Sequence, residues 1–380
     1  MKAPLLILLA SLAAPAAAQS AKDDDGDTIV VTGTPLRDTE RALKACLARK
    51  CPPEEDINAT LAHAENLFVA GDYLEARKTT LRSIGRNGKH AKAHPVPVSD
   101  LYRANGRIAA HLGEGEDYMR SINNVKRALR AGLPADDIRI VGANLEKAGM
   151  FASLGRFERA RQLYDEVAED SLRLGRGDLA GIARVRKAWL HEIAGDRWAA
   201  RRELRKIADD RAAGMKVPRV TALILLDRLD RKEGKAGATD ELIREVRALG
   251  AEKPVLLFSP PVELPGGARL DEEDPVGSTT RLMQMNDVDD VWVDIGFWVK
   301  PEGRVDEVEI IRRSGSTRWA KPVLKSIAGR LYSPSPEGAG QYRVERYSFT
   351  ALWKSDATGT RFRRRSPDAR IEFLDLTADE

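Results

Sequence analysis

Residues Asn144 to Tyr164 read NLEKAGMFASLGRFERARQLY. Leu145, Ala148 and Ala152 precede a break at Gly155-Arg156-Phe157, and Ala160, Leu163 and Tyr164 come after it. Intervals of three and four residues put each set on one helical face, so the stretch reads as two helices joined by a Gly-x-aromatic turn. The second helix places the small Ala160 where the two must approach closely.

Related turns occur at Gly71-Asp72-Tyr73 before Ala76, at Gly113 before Tyr118 and at Gly195-Asp196-Arg197-Trp198 before Ala199, with a weaker one near Gly234. Their glycines are separated by 42, 42, 40 and 39 residues. A period near 40 implies stacked helix pairs, an α-solenoid. Ala148, Gly155, Phe157 and Ala160 resemble the tetratricopeptide repeat, and the likeness extends over 56–249 with units longer than the usual ~34 residues. The resemblance implies a groove that binds a protein partner, the alternative being a spacer that only supports the C-terminal part of the chain. Aromatic residues are 6% of the chain, which leaves no hot-spot surface to single out, and Trp189 and Trp198 read as core.

Upstream, Lys2, the apolar Leu5 to Leu12 and the small Ala16-Ala17-Ala18 read as a cleavable signal peptide over 1–18. The expected location is the periplasm, with an inner-membrane anchor if the segment is retained. Residues 19–36 form an acidic leader expected to be disordered, with the strand-like Thr28-Ile29-Val30-Val31-Thr32 behind its acidic run. Cys46 and Cys51 are the two cysteines. In an oxidising compartment they are expected to form a disulfide, with Pro52 and Pro53 ending the helix so that Cys51 folds back; free thiols are the alternative.

Downstream of the repeats at 37–249, prolines and glycines mark 250–288 as an irregular linker with one candidate strand, Val255 to Phe258. Val291, Val293, Ile295, Phe297 and Val299 then alternate with Trp292, Asp294, Gly296, Trp298 and Lys300, a strand with one buried face. Pro301 to Arg304 is a tight turn, and Val305 to Arg312 returns as a hairpin. A helix comes next, with Trp319, Ala320, Val323, Leu324, Ile327 and Leu331 on its apolar face. A third strand, Tyr342 to Trp353, places Tyr347, Phe349, Ala351 and Trp353 on one face. The whole is an α+β multidomain chain, an α-solenoid with a small antiparallel sheet carrying one helix after it.

This last part, 289–354, resembles the C-terminal domain of the TonB family of periplasmic energy transducers. The likeness rests on Phe297 to Val305, Ser314-Gly315, Ala320 to Leu331 and Tyr332-Ser333-Pro334. It departs from the family in lacking the opening Tyr-Pro and the long proline-rich spacer. The resemblance implies binding of an outer-membrane receptor's TonB box by β-augmentation, and the expected edge is Arg343, Glu345, Tyr347, Phe349, Ala351 and Trp353. Asp27, Thr28, Ile29, Val30 and Val31 themselves resemble a TonB box. Residues 355–380 are read as a tail with room for one extra strand.

Charged residues are 32% with mixed sign and the net charge is +4, which argues against a nucleic-acid footprint. Five histidines show no metal-ligand spacing, and no nucleophile, phosphate-loop or dinucleotide motif is present. Neither catalytic residue, cofactor nor metal is expected. The expected partners are a TonB-dependent receptor or another envelope protein, with no membrane span after cleavage. The sequence leaves the oligomeric state open. The expected function is a periplasmic adaptor, a repeat scaffold without box binding being the alternative.

Overall fold

Helices that end sharply need a residue tolerating the left-handed region, and the periodic glycines supply it. Gly71, Gly113, Gly155, Gly195 and Gly234 all have positive φ, from 70° to 86°. Around Gly155, its own N–H bonds Ala152 O at 3.1 Å and the Arg156 N–H bonds Phe151 O at 2.8 Å. The same pair of bonds recurs at Gly71, Gly113, Gly195 and Gly234, a Schellman closure that satisfies the last carbonyls of the first helix.

The computed structural model describes residues 34–235, 240–250, 253–262, 291–335, 338–355 and 363–377. The signal-like segment and the box-like Asp27 to Val31 lie outside them. Helix α1 (Leu36–Ala48) precedes five pairs. These are α2 (Pro53–Val69) with α3 (Tyr73–Asn87), α4 (Pro95–His111) with α5 (Gly115–Gly132), and α6 (Ile138–Ser153) with α7 (Phe157–Arg173). Then come α8 (Gly177–Ile193) with α9 (Arg197–Asp209), and α10 (Lys216–Lys232) with α11 (Asp240–Ala248). Ala148 and Ala160 are fully buried in one cluster with Leu163, Tyr164 and Leu190, so consecutive pairs share a continuous core.

At the end of α1 the same closure is made without glycine. Lys50 has φ 53°, and Cys51 N–H bonds Cys46 O at 3.1 Å. Cys46 and Cys51, with Cα atoms 5.1 Å apart, are joined by a disulfide, in agreement with the fold-back expected at Pro52.

The remaining elements are β1 (Leu256–Phe258), β2 (Val291–Val299), β3 (Val305–Arg313), α12 (Lys321–Ala328), β4 (Leu331–Tyr332), β5 (Gln341–Ser355) and β6 (Arg363–Asp375). The four-stranded antiparallel sheet has the order β3-β2-β5-β6, and β1 pairs with β4. Val293, Ile295, Phe297 and Val299 pack under Trp319, Ala320, Val323 and Ile327 of the helical segment.

The candidate strand at Val255 to Phe258 is present as β1, and Leu257, buried among Val220, Ile224, Leu242 and Val246, fixes it to α10 and α11. The extra strand for which the tail had room is present as the 13-residue β6. Two sequence expectations are corrected. Leu331 belongs to β4 rather than to the helix, which ends at Ala328 ahead of Gly329. Strand β2 is buried on both faces rather than one, since Trp292 and Asp294 are buried together with Val293.

A Cβ at Gly155 would meet nothing within 4 Å, whereas one at Gly113 would come within 2.1 Å of Ala351 O. Gly155→Ala is therefore expected to cost only the left-handed backbone term, about 1–2 kcal/mol. Gly113→Ala is expected to cost clearly more in urea denaturation. Equal losses would show that the turn at Gly113 carries no contact of its own.

Candidate functional site

The inward residues of the sheet's second face include charged ones, and they meet the ends of the first two helix pairs. Asp294 on β2 and Arg346 on β5 are directly opposite each other in the register, and both are fully buried. Arg346 Nε donates to Asp294 Oδ1 at 2.6 Å and Nη2 to Oδ2 at 2.9 Å. Its guanidinium also donates to Phe68 O and Val69 O, each at 2.7 Å, the final carbonyls of α2. The cation thus sits where the helix dipole is negative. The Trp292 indole lies 3.8 Å from the guanidinium, pressed against the Gly71 turn, where a Cβ would come within 2.5 Å of the ring. Arg312 on β3 closes the set by donating to Asp294 Oδ2 at 2.8 Å.

Beside this pair, Ser348 Oγ lies 3.0 Å from both the Tyr73 hydroxyl and His111 Nδ1. Phe68, Tyr73 and His111 pack as a ring cluster with centroids 4.8–5.6 Å apart. Burial first, and then the charges of Arg107, Arg346 and Arg370, push His111 down to about 3. Further along, Trp353 N–H donates to Gly113 O at 2.9 Å, and Arg365 donates to Leu112 O and Ala351 O. At the far end of the array, Arg228 of α10 donates to Leu257 O at 3.1 Å. The α+β unit therefore touches the α2–α3 turn, the α4–α5 turn and α10.

The predicted binding edge is not an edge. Strand β5 pairs with β2 from Gln341 to Phe349 and with β6 from Glu345 to Ser355. Tyr347 and Phe349 are core residues, the latter stacked on Trp319 with centroids 5.3 Å apart. Glu345 forms a buried ion pair with Arg330 at 2.7 Å, and the Tyr347 hydroxyl donates to Glu345 while accepting from Arg330. Arg343 pairs with Asp375 of β6 at 2.5 Å. Ala351 and Trp353 meet the Gly113 turn of the array through their backbone. The physical cause is the tail: a strand of alternating polar and apolar residues there takes up the pairing capacity of β5. The open edges among the described residues are the outer sides of β3 and β6.

Trp198 corrects a second expectation. It is 70% exposed, with the Arg202 guanidinium 4.6 Å from its ring, because the aromatic falls one place after the Gly-Asp-Arg turn and outside the inter-helix seam. Trp189 packs against the core as expected. The seam residues Tyr73, His111, Asp294, Arg346 and Ser348 were not singled out from sequence; a charged residue on each of two neighbouring strands was the available signal. Among the described residues no group of three or more His, Cys, Asp or Glu could hold a metal ion, and no helix is long and apolar enough to cross a membrane.

No family model matches the chain, and no curated protein does. Among solved structures it is similar to BtubC (BKLC) from P. vanneervenii, at 16% identity over 60% of this chain and 95% of that one, with a TM-score of 0.45. It is also similar to a putative kinesin light chain from Podosopora anserina with nearly identical TPR-like repeats, at 15% identity over 53% and 97%, TM-score 0.39. A third is the Rap conjugation gene regulator of plasmid pLS20 in complex with the Phr* peptide, at 10% identity over 59% and 57%, TM-score 0.37.

Breaking the buried pair strands a charge, so Arg346→Met and Asp294→Asn are each expected to cost about 3–5 kcal/mol, and the double variant less than their sum. Additive losses in denaturant titrations would contradict the pairing. His111 stays neutral when folded but titrates near pH 6.5 when unfolded. Its contribution is complete above that pH and is lost as pH falls from about 6.5 toward 3, at up to ~1.4 kcal/mol per unit. Wild type should show a steeper loss of stability over that window than His111→Gln; identical slopes would count against it.

Proposed function

We propose that this chain is a non-catalytic adaptor of the periplasm in which the helical array holds the α+β unit in place and the sheet pairs with an extended strand of an envelope partner. The TonB-like order of elements suggests the box segment of an outer-membrane receptor as that strand. The observation that carries the reading is the outer edge of β3. Beyond the bridge from Arg304 to Leu331, no described residue pairs with Asp306 to Arg313 on that side. Strand addition works through backbone N–H and C=O groups, so it suits a partner of loosely fixed sequence. Asp306, Glu307, Glu309, Arg312 and Arg313 keep such an edge from pairing indiscriminately. The exposed Trp198 on α9 offers the array a separate contact for a second partner.

One observation favours the scaffold reading. Strand β6 already occupies the flank of β5 where the TonB resemblance puts the partner strand, so the unit could serve only to brace the array.

Hydrogen exchange separates the two. A peptide with the sequence of residues 27–32, at about 1 mM, is expected to slow amide exchange across Val305–Arg313 of the full chain. Unchanged exchange there would remove strand pairing on β3 and leave the scaffold reading.

A further inference from the structure

Four of the six tryptophans have a cation of the same chain against the ring. Trp189 has Lys232 Nζ 5.7 Å from its ring, Trp198 has Arg202 at 4.6 Å, Trp292 has Arg346 at 3.8 Å and Trp353 has Arg365 at 4.3 Å. Trp319 is stacked in the core on Phe349. Trp298 has no cation over its ring among the described residues and is 37% exposed.

The surroundings of Trp298 are complementary to a cation. Tyr342, directly opposite on β5, sets its ring 5.3 Å away at 58°, so the two rings form an open corner. A depression of about 210 Å³ lies beside them, lined by Trp298, Lys300, Pro301, Glu307 and Gly340. Lys300 does not fill the corner, because its ammonium is held by Asp306 at 2.5 Å. Glu307 borders the depression, while Glu309 lies close enough to the Tyr342 hydroxyl to add to the effect of burial in raising its pKa. Neither glutamate forms an ion pair among the described residues. Glu307 also adopts φ 54°, at the shift in register between β2 and β3.

We infer that Trp298 and Tyr342, with Glu307 and Glu309, form a recognition site for an arginine side chain of a partner protein. A cation over an aromatic face is attracted by the ring quadrupole. Arginine is favoured over lysine because its planar guanidinium stacks on an indole while its edge donates to a carboxylate. This sheet already uses that arrangement six residues earlier on the same face of β2, where Arg346 lies between Trp292 and Asp294. There the cation comes from the chain itself. At Trp298 the aromatic faces and the carboxylates are present, and among the described residues no cation lies over the ring. Trp298 is opposite Asp306 of β3, so an arginine on a strand paired along β3 would be near the corner. The inference rests on reading the sheet as the partner-binding surface, and it names the side chain such a partner would bring.

The test is a titration of the full chain with N-acetyl-arginine amide, monitored by the indole N–H resonances, with the neutral citrulline amide as control. These probes have no strand to add, so failure of β3 pairing and failure of this site are read separately. The Trp298 resonance, assigned by its loss in Trp298→Phe, should shift saturably with arginine amide and not with citrulline amide. The Glu307→Gln/Glu309→Gln variant, altered only at exposed positions, should bind about three- to tenfold more weakly. A Trp298 signal that does not move, that moves equally with citrulline amide, or whose titration is unchanged in the double variant would overturn the assignment.

Discussion

The guanidinium of Arg346 is the constraint on which the rest depends. It is fully buried, so its charge must be met by bonded acceptors. Those acceptors come from two parts of the chain, the Asp294 carboxylate in the sheet and the last carbonyls of α2 in the array. Pulling the sheet away would leave the cation with half its partners and would expose the Trp292 face. The geometry therefore ties β2, β5 and α2 together. Ser348 with Tyr73 and His111, and Trp353 with Gly113, extend the contact along one line of turns.

That line explains a double use of the repeat glycines. Each must adopt positive φ to close its helix. Gly71 and Gly113 must in addition be bare, because Trp292 and Ala351 come closer than a Cβ would permit; Gly155 meets no such neighbour. The periodicity that builds the array also makes, at its first two pairs, a flat landing for the sheet.

The range of the forces involved decides how much of this was legible in the sequence. Helical spacing, the glycine turns, the β2–β3 hairpin and the Cys46–Cys51 fold-back are local, and the residues that make them announce them. The edge was misplaced because pairing between Glu345 and Asp375 joins residues 30 apart, a separation that local spacing does not report. The covered second face of β2 was hidden for a related reason. An alternating strand with Asp294 and Lys300 on its polar side reads as solvent-facing until a partner for the charge is known, and that partner lies on β5 and α2. Trp198 shows the opposite failure, since an aromatic next to a turn has no obligation to face the core.

Sharing the buried cation, array and sheet should unfold as one unit. Urea denaturation of the full chain checks this with two probes, helical circular dichroism for the array and the indole N–H resonance of Trp319 for the sheet core. Coincident transitions are expected in the wild-type chain and separated ones once Arg346 is replaced by methionine. Two separate transitions in the wild-type protein would contradict it.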